Sequence, residues 1–364
     1  MIAADDCRES AELASHRRGR LDGLQALRAV AALAVVVFHA GRYVAGSLPE
    51  AAWNWGEYGV DVFFVLSGFV MAWATRPGAD AATFFARRLA RIAPMYWLAT
   101  AAMATALLLQ PSLFHAAVLD PAHVAKSLAF IPHFNPGTPN EVWPLFVPGW
   151  TLNYEMYFYL LFALTLPWVA SAGRRVLALS AALLLGLFLA RTFGDVRLHA
   201  WVAFLADPIV LEFAFGMTLA WGVRRFGPLP RPLAGGLALV GVVALIATAP
   251  LGARVVCAGG SAVAMVLALA SYPELRSHAG RALTRLGDAS YTLYLIQPFV
   301  IGVLWVGWRG TPLASGVAGA WSFIGLSLLA SALVALPIHR WIEQPLTRWV
   351  TRGLTAPLRS PESA

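Results

Sequence analysis

Two residues of the first apolar run, Arg28 and His39, stand eleven positions apart. At about 100° per residue that separation closes three turns and overshoots by about 20°, so on a helix both side chains share one face. Their separation in height is about 16 Å. A neutral imidazole is suited to taking a proton near pH 7, and a guanidinium to holding an anion. Arg88 and Arg91, at i and i+3, would present two more guanidinium groups on one side of a helix, a geometry fit for bidentate phosphate binding. Asp61, Glu155 and, more weakly, Asp207 fall near the starts of later apolar runs, at a depth comparable with His39. The constellation predicts an anionic ligand held at one end of a bundle and a base held toward the other. Structural roles compete with each of these. A lone membrane His often serves packing, Asp61 and Glu155 can pair with Arg or tyrosine hydroxyls to fix helix register, and Arg88 and Arg91 can act as a topology signal.

The elements that must carry these residues are membrane helices. Of 364 residues 59% are hydrophobic and 13% charged, against about 25% charged in an average soluble domain. A compact soluble chain of this length cannot hide such a surplus from water. Ten apolar runs long enough to cross a bilayer core of about 30 Å follow one another: 24–44, 58–75, 93–110, 150–170, 176–192, 204–222, 233–250, 255–272, 290–308 and 317–338. They are continuous rather than alternating, which predicts an all-α, polytopic helix bundle and not a barrel. With both termini inside, ten spans put 21 of the 27 basic residues on the cytoplasmic side, as the positive-inside rule requires. The N-terminal twenty residues lack an apolar stretch, so the first span reads as an uncleaved anchor. The expected organisation is a cytoplasmic tail over 1–20, a membrane domain over 21–350 and a second tail over 351–364.

Charges inside a bilayer cost at least about 2.5–3.5 kcal/mol each on insertion scales, so those present need a reason. Basic residues occur in short clusters between apolar runs and form no continuous face, which argues against nucleic acid as a partner. Cys7 and Cys257 differ in context and suggest neither a disulfide nor a metal site, and no metal-ligand cluster is visible. The segment from Pro111 to Gly149, rich in Pro and carrying Trp143, is expected to be an ordered outer loop. Within it His115 and Asp120 match a spacing used by some glycerolipid acyltransferases, a match read as coincidental.

Several segments together resemble the membrane acyltransferase 3 family, whose members O-acylate bacterial cell-surface glycans. They are Leu21 to Arg28 continuing to Phe38-His39-Ala40, Gly59 to Phe69, Arg87 to Pro94, Trp150 to Tyr159, Leu286 to Leu295, and Trp341-Ile342-Glu343-Gln344-Pro345. The resemblance implies an enzyme of the bacterial inner membrane that takes an acyl group, most often acetyl, from cytoplasmic acyl-CoA and delivers it to a carbohydrate hydroxyl outside. It implies essential roles for Arg28 and His39, and a donor-binding role for Arg88 and Arg91. On this reading His39 is the general base, and Glu155 orients the imidazole, stabilises its charged form or binds acceptor hydroxyls, the residues being compatible with each. Arg28, Arg88 and Arg91 grip the CoA phosphates, and Asp61, Ser67 and Tyr154 contact the acceptor, a polysaccharide or lipid-linked oligosaccharide. Membrane lipids surround the bundle. Gln297 stands where relatives often carry His, so that position is given no acid or base role. Transfer through an acyl-His39 intermediate and direct transfer are equally compatible with the residues. The rival class is a transporter or flippase of a lipid-linked saccharide or other polyanion, since buried carboxylates and Arg also mark translocation paths.

Overall fold

The computed structural model describes residues 21–76, 78–111, 118–169, 171–248 and 254–355; the 1–20 tail, Cys7, His115 and the end of the 351–364 tail lie outside them. Among the described residues the regular structure is helical, without a strand. In chain order the helices are α1 Asp22–Tyr43, α2 Gly59–Ala74, α3 Ala81–Leu109, α4 Pro121–Leu128, α5 Trp150–Thr165, α6 Ala172–Phe193 and α7 Ala200–Ala206. There follow α8 Val210–Phe226, α9 Arg231–Thr248, α10 Val255–Leu269, α11 His278–Asp288, α12 Ser290–Trp308, α13 Gly316–Ile338 and α14 Gln344–Thr355. By length and composition seven helical segments among the described residues can cross a membrane, or eight if the pair α7 and α8, bent by 43°, forms one span. The two expected spans that remain, 150–170 and 255–272, fold as α5, of 16 residues, and as the short apolar α10. Large apolar side chains face outward along α6 and α9, among them Leu185, Phe188, Val240 and Val243. That surface belongs against lipid, and the chain is a multi-pass membrane protein.

Three features set the position of the site. First, α3 has 29 residues, about 44 Å of helix against a core of about 30 Å, so one end must project. Its start is fixed by Asp80, whose carboxylate accepts from the Thr83 N–H at 2.7 Å, and Arg88 and Arg91 therefore fall within about the first three turns of the helix. Second, α2 and α8 cross at very close range. A side chain at Gly68 would collide with the Phe213 carbonyl, and one at Gly216 with the Val65 carbonyl, so small residues on both sides let the backbones touch. Third, α13 passes into α14 through a single π turn, His339–Glu343. The wider turn rotates both His339 and Glu343 into the protein, where they are 8% and 0% exposed.

The segment from Pro111 to Gly149, expected to lie outside, is ordered over its described part. Asp120 caps α4 by accepting from the His123 N–H at 2.8 Å. Ser127 Oγ accepts from the Leu145 N–H at 2.9 Å, and Tyr96 of α3 donates to the Ser127 carbonyl. His123 and His133 are both buried, and their rings meet through Nδ1 and Nε2 at 2.6 Å.

Candidate active site

Five helices enclose a cavity of 120 Å³. α1 contributes Arg28, α2 contributes Phe63 and Ser67, α3 contributes Arg88 and Arg91, α5 contributes Thr151, Glu155 and Tyr159, and α12 contributes Ser290, Tyr291 and Tyr294. Of the eight residues singled out from the sequence, Arg28, Ser67, Arg88, Arg91 and Glu155 thus meet in one place. The cations are held differently. Arg28 Nε donates to Ser290 Oγ at 3.2 Å. The Arg88 guanidinium lies 5.4 Å from the ring centres of both Phe84 and Tyr159. Arg91 Nη1 donates to Glu343 Oε1 at 2.5 Å and also lies over the Tyr291 ring. Tyr159 donates to the Glu155 carboxylate, which orients the acid and leaves its other oxygen toward the cavity. The wall is braced by Tyr294, whose hydroxyl donates to the Pro148 carbonyl at 2.9 Å and meets Thr151 Oγ1 at 3.0 Å.

Glu343 is the residue that the chemistry of the first apolar runs does not announce. It is fully buried, and besides Arg91 it accepts from Thr292 and meets His339 Nδ1 at 2.7 Å. Every oxygen of this carboxylate is engaged, as a buried charge requires. One of the three arginines therefore brings its own counter-ion, and the net charge on the cavity wall is carried by Arg28 and Arg88 against Glu155. Glu343 lies in the Trp341 to Pro345 segment that carries the family resemblance; its charge beside apolar residues was the available signal.

The other three predicted residues stand apart from the cavity wall. His39 is partly buried, in edge contact with Phe38 at 5.1 Å between ring centres. One helical turn separates it from Val35, which packs with Val60 and Phe64, both lining the cavity. Asp61 faces away, fully buried, and receives Arg254 in bidentate fashion at 3.0 and 2.9 Å. The same guanidinium reaches Glu57 at 2.6 Å, and Glu212, also fully buried, sits beside Asp61. This acidic group around one Arg fastens α2, α8 and the start of α10. Tyr154 donates to the Phe204 carbonyl at 3.0 Å and stacks on the Phe204 ring at 3.9 Å. Asp207 accepts from the Ile209 N–H at 3.0 Å and shapes the bend between α7 and α8. Among the described residues no group of three or more His, Cys, Asp or Glu could hold a metal ion.

A polytopic helix bundle with a cationic cavity and one carboxylate in it defines a buried site suited to an anionic group. The acyltransferase domain family matches residues 21–340, and the chain belongs to that family, the membrane acyltransferase 3 family; it is an acyltransferase. It is 36% identical over 325 residues to the exopolysaccharide production protein ExoZ of Rhizobium meliloti (strain 1021), covering 82% of this chain and 93% of that one. It is 30% identical over 369 residues to the acyltransferase MdmB of Streptomyces mycarofaciens, covering 92% and 93%. No solved structure matches it closely enough to compare.

Proposed function

We propose that the protein is an O-acyltransferase of the bacterial inner membrane, with both termini in the cytoplasm, that moves an acetyl group from acyl-CoA to a hydroxyl of a surface polysaccharide or its lipid-linked precursor. The observation that carries this reading is the meeting of Arg28, Arg88, Arg91 and Glu155 in one cavity of a chain from an acyltransferase family. The similarity to a protein named for exopolysaccharide production supports a glycan acceptor. Arg28, Arg88 and Arg91 hold the donor so that its thioester points into the bundle. His39, on the same face of α1 as Arg28, takes the proton of the acceptor hydroxyl. The oxygen attacks the thioester carbonyl, the tetrahedral intermediate expels the thiolate, and the imidazolium returns the proton to that sulfur. Glu155 stabilises the imidazolium or binds an acceptor hydroxyl. Ser67 supplies a polar contact on the cavity wall, and Asp61 and Tyr154 support the acceptor side through the helices they fix.

The test is transfer of label from acetyl-CoA to the surface glycan by membranes containing the protein. Ester label that depends on the protein and on Glu155 and His39 is expected. Absence of any dependence on CoA thioester would contradict the reading and favour a translocation role.

A further inference from the structure

The site cavity has 120 Å³ of space, whereas pockets that bury a drug-sized ligand hold about 300–1,000 Å³. It has room for a thioester and part of the arm behind it, not for a nucleotide. A second pocket, of 540 Å³, opens at the same end of the bundle. That end is fixed by Gly287 of α11, which lies against the Gln25 backbone of α1, and by the bond between Arg28 and Ser290. Arg285 and Asp288 line it from α11, Arg340 and Trp341 from the π turn, and Arg348 from α14. Three guanidinium groups face one carboxyl group, so the pocket is cationic. Arg285, Arg340 and Arg348 are exposed and Trp341 is 71% exposed, while the Arg348 Nε bond to the Gln344 carbonyl at 3.2 Å holds that side chain against its helix.

The two pockets adjoin. Asp288, on the wall of the second, is two residues from Ser290, on the wall of the first. His339 lines the second pocket and contacts Glu343, whose other oxygen holds Arg91 in the first. The π turn is what divides the roles: its wider winding sends His339 and Glu343 inward and leaves Arg340 and Trp341 outside. A topology signal would need the charges alone; it requires neither a pocket nor an indole in it.

We propose that this second pocket takes the phosphorylated nucleotide end of the acyl donor, with Arg285, Arg340 and Arg348 on the phosphates and the Trp341 indole against the base. The inference rests on the acyl-CoA reading given above. It assigns Arg28 and Arg88 to the arm and thioester rather than to the nucleotide. Guanidinium groups suit phosphate oxygens, and an exposed indole suits a purine face.

The experiment uses the purified full chain in lipid nanodiscs and compares acetyl-CoA with S-acetylpantetheine, which lacks the nucleotide. In the triple variant Arg285→Gln, Arg340→Gln, Arg348→Gln the KM for acetyl-CoA should rise about tenfold or more with kcat within about twofold, the pattern of lost uniform binding. Kinetics with S-acetylpantetheine should not change. Adenosine 3′,5′-bisphosphate should inhibit the native chain and lose potency against the variant by a similar factor. An unchanged KM for acetyl-CoA, or equal losses with both donors, would overturn the assignment while leaving CoA-dependent transfer intact. No transfer from either thioester by the native chain would instead refute the donor reading, and this inference with it. An effect seen only in nanodiscs containing anionic lipid would give the pocket to a lipid headgroup and also overturn the proposal.

Discussion

At the scale of single residues, the buried carboxylate of Glu343 decides how the cavity is charged. It satisfies Arg91 at 2.5 Å and is itself 0% exposed, so removing it strands a guanidinium at the cavity wall. Glu343→Ala is expected to destabilise the protein by about 1–3 kcal/mol, because it leaves the buried Thr292 and His339 unpartnered while the stranded Arg91 side chain is 35% exposed to solvent. Glu343→Gln, which keeps partners for Thr292 and His339, should cost less; thermal unfolding in detergent measures both. The Tyr159 hydroxyl donates to Glu155 and also meets Ser67 on the cavity wall, and the bond to the charged acid is the stronger of the two. Tyr159→Phe should therefore lower turnover by about tenfold, the loss of one hydrogen bond to a charged group. Glu155→Gln should lower it by about a hundredfold or more if the carboxylate takes part in proton transfer. A pair of steady-state assays on folded variants separates the two.

At the scale of elements, the crossing of α2 and α8 and the outer segment are the two structures whose failure can be predicted. Gly68→Ala or Gly216→Ala places a methyl group against a backbone carbonyl that cannot move without its helix. Each is expected to cost about 1–3 kcal/mol, typical of overpacking, visible as a lower unfolding temperature with a parallel loss of activity. In the outer segment, burial, then the neighbouring His133 and Lys126, pushes the His123 imidazole down to about 4 from its ordinary 6.5, with Asp120 opposing. Its neutral form fits the fold: His133 Nδ1 donates to the Ile131 carbonyl, which leaves His133 Nε2 to accept from His123 Nδ1. Because the folded state disfavours the proton, the stabilisation is complete above about pH 6.5 and is lost as pH falls toward 4. Hydrogen-exchange protection factors at 121–128, which remove the pH dependence of intrinsic exchange, should fall through that window, and His123→Phe should abolish the pH step. Protection factors that are flat from pH 7 to 4 in the native chain would contradict this.

At the scale of the whole molecule, spacing and hydropathy disclose depth in the membrane but not direction around each helix. Arg28 and His39 share a face of α1 as their separation requires, and Arg88 and Arg91 do reach one cavity with Glu155. Asp61 and Tyr154 turn away from the cavity to Arg254 and Phe204, since azimuth is set by which helix packs alongside. Glu343 and Arg91 are 252 residues apart, and only the folded bundle brings them together. The ten apolar runs all appear as helices, but α5 and α10 are shorter than a full span; a 3₁₀ turn, Val147–Gly149, precedes α5, and a π turn opens α10. On the proposed acyl-CoA reading, the cationic end shared by both pockets is the donor's side, and the acceptor is expected from the opposite face.

Sealed vesicles of defined orientation put that implication to the most direct test. Labelled acetyl-CoA supplied to the face bearing Arg28 and Arg88 should place an ester on glycan at the opposite face, and His39→Ala should reduce that label by about a hundredfold or more. Label that forms only when donor and glycan share a face, or that survives His39→Ala, would contradict the account.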